Sequence, residues 1–138
     1  MTKDVLVTVS GIQRDIEDEP IELITGGTHY LKNGKHYVLY EEQPDQEAPV
    51  IKNRVKFDEN SFEMTKRGGP YTALSFFKGE KTSSVYSTPA GPVQIDVLTH
   101  DLRVTETEEE ILVAIQYSLN INYNFISECE VRFKVQAR

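Results

Sequence analysis

The sequence predicts an all-β protein, a closed antiparallel β-barrel of about eight to ten strands joined as a meander. Three observations predict it. Apolar residues recur at every second position through most of the chain, as half-buried strands require, because successive side chains point to opposite faces. Turn-forming residues interrupt these runs at intervals of roughly 8–12 residues, the spacing of sandwiches and barrels. The first and last runs, Val5–Ile12 and Phe125–Gln136, are both long and cleanly patterned, as strands that zip a barrel shut should be. Closure removes the two edges that an open sheet of this size would expose.

Taken in order, the first run places Val5, Val7 and Val9 on one face against Leu6 and Thr8. The polar stretch Glu17–Pro20 is a loop. A hairpin follows around Asn33-Gly34, since both central residues of a type I′ turn need positive φ. That turn pairs Leu31 with His36, His29 with Val38, and Tyr30 with Tyr37. Glu41–Pro49, with two prolines, is a loop; Asp58–Ser61, Arg67–Pro70 and Lys78–Lys81 are further turns. Tyr86, Ser87 and Thr88 end a strand at Pro89-Ala90-Gly91-Pro92, which cannot continue a ladder. Val93, Ile95, Val97 and Thr99 then alternate with Gln94, Asp96, Leu98 and His100. Thr105-x-x-Glu108 mimics a helix capping box. The run after it, with Ile111, Val113, Ile115, Tyr117, Leu119 and Ile121 on one face, is a strand. In the last run Phe125, Val131, Phe133 and Val135 face inward, with Glu128, Glu130, Arg132 and Lys134 outward. The 138 residues read as one domain, 1–138.

Composition narrows the function. The net charge is −7 and the pI about 5.0, with Lys and Arg scattered from Lys3 to Arg138. Such a chain repels a phosphate backbone, so no nucleic-acid partner is expected. No apolar run approaches the ~20 residues of a membrane helix, and the opening MTKDVLVTVSG lacks the apolar core of a signal peptide. A single cysteine, Cys129, allows no internal disulfide. The expected location is the cytoplasm.

Five segments in order, VSGIQRD (Val9–Asp15), YVLYEE (Tyr37–Glu42), KRGG (Lys66–Gly69), YSTPAGPVQIDVLTHDL (Tyr86–Leu102) and ILVAIQYSL (Ile111–Leu119), resemble the YwiB-like family of small Firmicute proteins. The resemblance covers most of the chain. It implies a lipocalin-type, or calycin, β-barrel. It implies no activity, so it assigns no catalytic residue.

Each group that could carry chemistry has a plainer reading beside it. His100 and Asp101 are sequence neighbours, so on a strand they face apart and form no orienting pair; no nucleophile-elbow pattern is present. His29 and His36 share a face as diagonal neighbours, roughly 7 Å apart at the backbone, but no third ligand is spaced to join them, and no metal or cofactor is expected. Cys129 falls on the inward face as a small hydrophobe. Glu108–Glu110 and Asp15–Glu19 lack the calcium-loop pattern and read as solvated turns. Arg67 ends a strand before Gly68-Gly69, sharing a face with Glu63 and Thr65 opposite Phe62 and Met64. Alternation turns it outward. A phase shift at the glycines would instead turn it into the barrel mouth as a fixed cation for a carboxylate or phosphate. Tyr40, Tyr86, Thr88, Thr99 and Tyr117 would then line the site; otherwise those rings simply fill the interior. The expectation is a non-enzymatic barrel that binds a small amphipathic or anionic molecule. A filled barrel that meets a protein partner is the first rival, and an enzyme with an unrecognised site the second.

Overall fold

A computed structural model describes residues 3–13, 21–43, 46–68 and 72–138. Its ten strands are β1 (Lys3–Gln13), β2 (Ile21–Lys32), β3 (Lys35–Glu42), β4 (Ile51–Phe57), β5 (Ser61–Arg67), β6 (Thr72–Phe77), β7 (Lys81–Thr88), β8 (Gly91–Glu106), β9 (Glu110–Ile121) and β10 (Asn124–Ala137). No helix occurs among the described residues. The strands form one sheet in the order β6-β5-β4-β3-β2-β1-β10-β9-β8-β7, every pairing antiparallel. This is a meander rolled into a nearly closed barrel. The first and last strands zip together, Val7 opposite Val135 and Val9 opposite Phe133, as their long alternating runs predict.

Turn chemistry acts at Asn33-Gly34 as the sequence predicts, but of Pro89-Ala90-Gly91-Pro92 only Pro89-Ala90 form the turn, since Gly91 and Pro92 already pair with Thr88 and Ser87. Asn33 and Gly34 have φ of 54° and 77°, the double positive φ of a type I′ turn, and the register it sets is the expected one. Tyr30 and Tyr37 then stack with ring centroids 4.9 Å apart. Asp58 caps the β4–β5 turn: its Oδ1 accepts from the backbone N–H of Asn60 and Ser61, both at 2.9 Å. Thr107 closes the β8–β9 turn by accepting from the N–H of Glu109 and Glu110; Thr105, the residue that mimics a helix cap in the sequence, lies within β8. The loop expected at Glu17–Pro20, the Gly69-Pro70 part of the turn expected at Arg67–Pro70, and the acidic stretch 15–19 lie outside the described residues.

The barrel closes differently at its seam. β6 and β7 end the hydrogen-bonded order, and side chains of β7 bridge the gap to backbone carbonyls of β6. Thr82 Oγ1 donates to Ser75 O at 2.5 Å, and Ser84 Oγ and Tyr86 Oη both donate to Ala73 O at 3.1 Å. The β6–β7 turn is tied to β8 by Gly79 N–H donating to Thr99 O and Thr99 N–H donating to Glu80 O.

The interior is packed with rings. Phe133, fully buried, meets Phe62 edge-on at 5.3 Å, Phe57 at 6.1 Å and Tyr40 at 6.2 Å. From Phe62 the contacts run to Phe76 and on to Tyr117; from Phe57 they run to His36 and His29. Val7, Val38, Val55, Val113 and Ile115 fill the space between these rings and the walls.

Alternation fails at two bulges. Between Phe125 and Ser127 the register slips, so the phase of β10 beyond Ile126 differs from that before it. Phe125, expected inside, is 59% exposed, while Ser127 is fully buried. A second slip between Thr99 and Asp101 makes His100 the extra residue. Leu102 thereby takes the inward place, buried on the core side.

Candidate functional site

Residues of the β2–β5 wall line an open groove of about 700 Å³. Alternation decides which residues reach it. On β4 Asn53, Val55 and Phe57 are buried while Lys52 and Arg54 are exposed. The register sets Lys52 between Glu41 and Arg67, and Arg54 between Leu39 and Thr65. All six line the groove. Residues far apart in sequence thus bring three cations to one face, although Lys and Arg are spread evenly along the chain. Arg54 lies 5.3 Å over the Tyr37 ring and Lys56 5.9 Å from it. These cation–π contacts, with Tyr30 stacked beside them, bury Tyr37 on the outward face and hold the Arg54 fork in place.

Two glycines shape the β2 side. A Cβ on Gly27 would stand 2.7 Å from Leu39 O and 3.0 Å from Val7 Cγ2, so only glycine lets β2 approach β3 and the core this closely. A Cβ on Gly26, which lines the groove, would occupy the place of the Arg138 guanidinium.

Inside the same end of the barrel lies a polar group that the sequence reading missed. Phe62, Met64 and Lys66 form the inward set of β5, and Lys66 stands opposite Asn53. Lys66 Nζ is 3.1 Å from Glu42 Oε1, which also accepts from Asn53 Nδ2 at 3.3 Å. The Asn53 Oδ1 is buried without a hydrogen-bond partner. The alternation that turns Arg67 outward is the signal that would have placed Lys66 inward.

Of the six residues expected around a ligand, Arg67 and Tyr40 border the groove, whereas Tyr86, Thr99 and Tyr117 lie elsewhere in the barrel. Arg67 faces outward beside Lys52. Tyr40 faces inward and packs on Phe133; burial pushes its phenol far above the ordinary range, and the Glu42 carboxylate adds to that. Tyr86 belongs to the seam, its hydroxyl donating to Ala73 O, and burial raises its pKa too. Thr99 and Tyr117 stand opposite each other on β8 and β9, with Cys129 next in the row on β10. Thr99 Oγ1 is buried without a partner. Tyr117 has its phenol pKa driven well up by burial, then by the neighbouring Cys129. Thr88 ends β7, and its side chain lies outside the described residues.

The histidines make two further clusters. His29 Nε2 and His36 Nδ1 are 2.9 Å apart, and His36 Nε2 is 3.4 Å from Glu106 Oε1. Among the described residues no group of three or more His, Cys, Asp and Glu converges as metal ligands do. His100 Nε2 lies 2.5 Å from Ser118 Oγ and 3.4 Å from Glu128 Oε2, and Ser118 Oγ donates to Glu128 Oε1 at 2.6 Å. Serine and acid meet the same ring nitrogen, so the relay of acid to one nitrogen and nucleophile to the other is not formed. Asp101, the sequence neighbour of His100, instead accepts from Arg103 Nε at 2.7 Å.

Comparison with known proteins places this geometry in a family. The chain is 27% identical over 112 residues, 81% of its own length and 78% of the other's, to the uncharacterized beta-barrel protein YwiB of Bacillus subtilis strain 168. The crystal structure of the ywiB protein from Bacillus subtilis superimposes with a TM-score of 0.81 at 20% identity, covering 99% of this chain and 93% of that one. At that identity the likeness establishes the fold. The family model of a domain of unknown function, DUF1934, matches residues 7–133, which is nearly the whole barrel, and the chain belongs to that family.

Proposed function

We propose that this protein is a cytoplasmic, non-enzymatic barrel that binds a small anionic or amphipathic molecule, and that it holds the molecule in the outer groove over β2–β5. One observation carries the reading: Lys52, Arg54 and Arg67 line a single open groove in a chain of net charge −7. Cationic side chains on one face suit an anion, which takes charge-assisted, partly bidentate hydrogen bonds from them. Leu39, 40% exposed in the same groove, supplies an apolar contact for an amphipathic tail. The interior favours a ligand less, because contacting aromatic rings run through it.

Titration calorimetry with decanoate tests this. Arg67→Met keeps most of the side-chain stem and removes the fork, and binding should weaken about tenfold, equivalent to about 1.4 kcal/mol. The fold should be unaffected, since the residue is an exposed strand end. Tyr86→Phe, altering a residue of the seam, should leave affinity unchanged. No binding of decanoate at millimolar concentration, or equal binding by Arg67→Met, would sink the reading; loss on Tyr86→Phe alone would return the site to the interior.

A second reading, a filled barrel that docks a protein, is favoured by the β9–β10 turn. Tyr123 is 77% exposed there and holds a φ of 69°, which is costly for a bulky residue, beside the exposed Phe125 and Ile126.

A further inference from the structure

The groove has two charged sides. On β4 and β5, Lys52 and Arg67 stand opposite each other. On the far side, the guanidinium of Arg138, which follows β10, lies over Gly26 of β2, the place where a side chain at that position would begin. Between them on β3 stands Glu41, the register partner of Lys52, with Leu39 two residues along on the same face. The order across the sheet is therefore cation, anion, cation. A compact polyanion lying across it would put negative charge against Glu41. A molecule with charges only at its ends would not, because its uncharged middle would cross the Glu41 row, with Leu39 beside it on the same face.

We propose that the groove takes an extended dianion, one acidic group on Lys52 and Arg67 and the other on Arg138 above Gly26. The inference rests on the anion-binding reading above. Neighbouring strands lie about 4.8 Å apart, so crossing from β2 to β4 or β5 spans roughly 10–14 Å. That sets the separation of the two charges. The ligand class is thus a long-chain dicarboxylate or a similar molecule with an acidic group at each end. Joining two anchors makes the second contact intramolecular, so a matched dianion gains over a monoanion without any new kind of contact.

The experiment compares sebacate, a ten-carbon dicarboxylate, with decanoate, its monocarboxylate counterpart, by titration calorimetry. The native protein should bind sebacate at least tenfold more tightly. Arg138→Met should abolish that preference and leave decanoate binding as it was. Gly26→Ala should also abolish the preference, because its methyl group takes the place of the guanidinium. The displaced group is the far end of a flexible side chain, so this variant should fold normally. Equal affinity for both probes in the native protein would overturn the two-ended groove, as would an undiminished sebacate preference in Arg138→Met and Gly26→Ala. Decanoate binding that still depends on Arg67 would in that case leave the simpler anion site standing. Failure of both probes at millimolar concentration would remove both proposals.

Discussion

Phe133 holds the centre of the barrel. It is fully buried and touches rings from β3, β4 and β5, strands that reach it only when the sheet rolls up. Phe133→Ala should cost about 3–5 kcal/mol, lost burial plus a cavity that stiff neighbours cannot fill. Urea unfolding measures it; a loss under about 0.5 kcal/mol would mean the ring is not in the core. Asp58 shows the polar counterpart. Its carboxyl is pulled down to about 2 by the hydrogen bond from Lys35, helped by those from Asn60 and Ser61. A depressed acid stabilises the fold above its unfolded pKa of roughly 3.9, and that contribution is lost as pH falls toward 2. Asp58→Asn keeps an oxygen for the turn and loses the charge facing Lys35. At pH 7 it should be less stable by under about 1 kcal/mol, since the pair is part-exposed and screened. The gap should close between pH 4 and 2. A gap unchanged at pH 2 would show that the ion pair is not its source.

Among the elements, the hairpins divide into two kinds. Asn33-Gly34 supplies the residues a type I′ turn prefers, whereas the β9–β10 turn uses Asn122 and Tyr123 at φ of 49° and 69°. Tyr123→Gly should stabilise the protein by about 0.5–1 kcal/mol, because glycine takes positive φ without steric cost. The lost hydrogen bond from Tyr123 Oη to Gln94 Oε1 is exposed and offsets little of that gain. A fall in thermal midpoint would show that the tyrosine side chain stabilises this hairpin. The bulges at His100 and Ile126 mark where reading by element stops working. Alternation assumes an unbroken pleat, and an extra residue inverts every position beyond it. Nothing local in FISEC announces that Ile126 is skipped, since the slip is set by what β9 offers opposite.

At the scale of the molecule, the barrel is shut by two unlike joints. β1 and β10 share a full antiparallel ladder, while β6 and β7 are held by hydroxyl groups on carbonyls. The seam should open first. Replacing Thr82 by Val with Ser84 by Ala removes two of the three hydroxyl donors, and amide hydrogen exchange should quicken in β6 and β7 while β1 and β10 keep their protection. Uniform quickening would mean that the seam is no weaker than the rest.

The strand class, the Asn33-Gly34 turn, the β2–β3 register and the pairing of first strand with last were legible in the sequence. Each rests on local chemistry, namely side-chain alternation, positive φ at Asn-Gly, and the need of long apolar edges for a partner. The site was legible only in its parts. Arg67 was visible as a cation beside a backbone break, and Tyr40 and Tyr117 as rings for an interior. That Arg67 joins Lys52 and Arg54 along one groove, with the Arg138 guanidinium over Gly26 beside it, was decided by the tertiary structure alone. Lateral neighbours in a sheet are fixed by register between strands distant in sequence, and the charge that a groove presents is a sum over those neighbours.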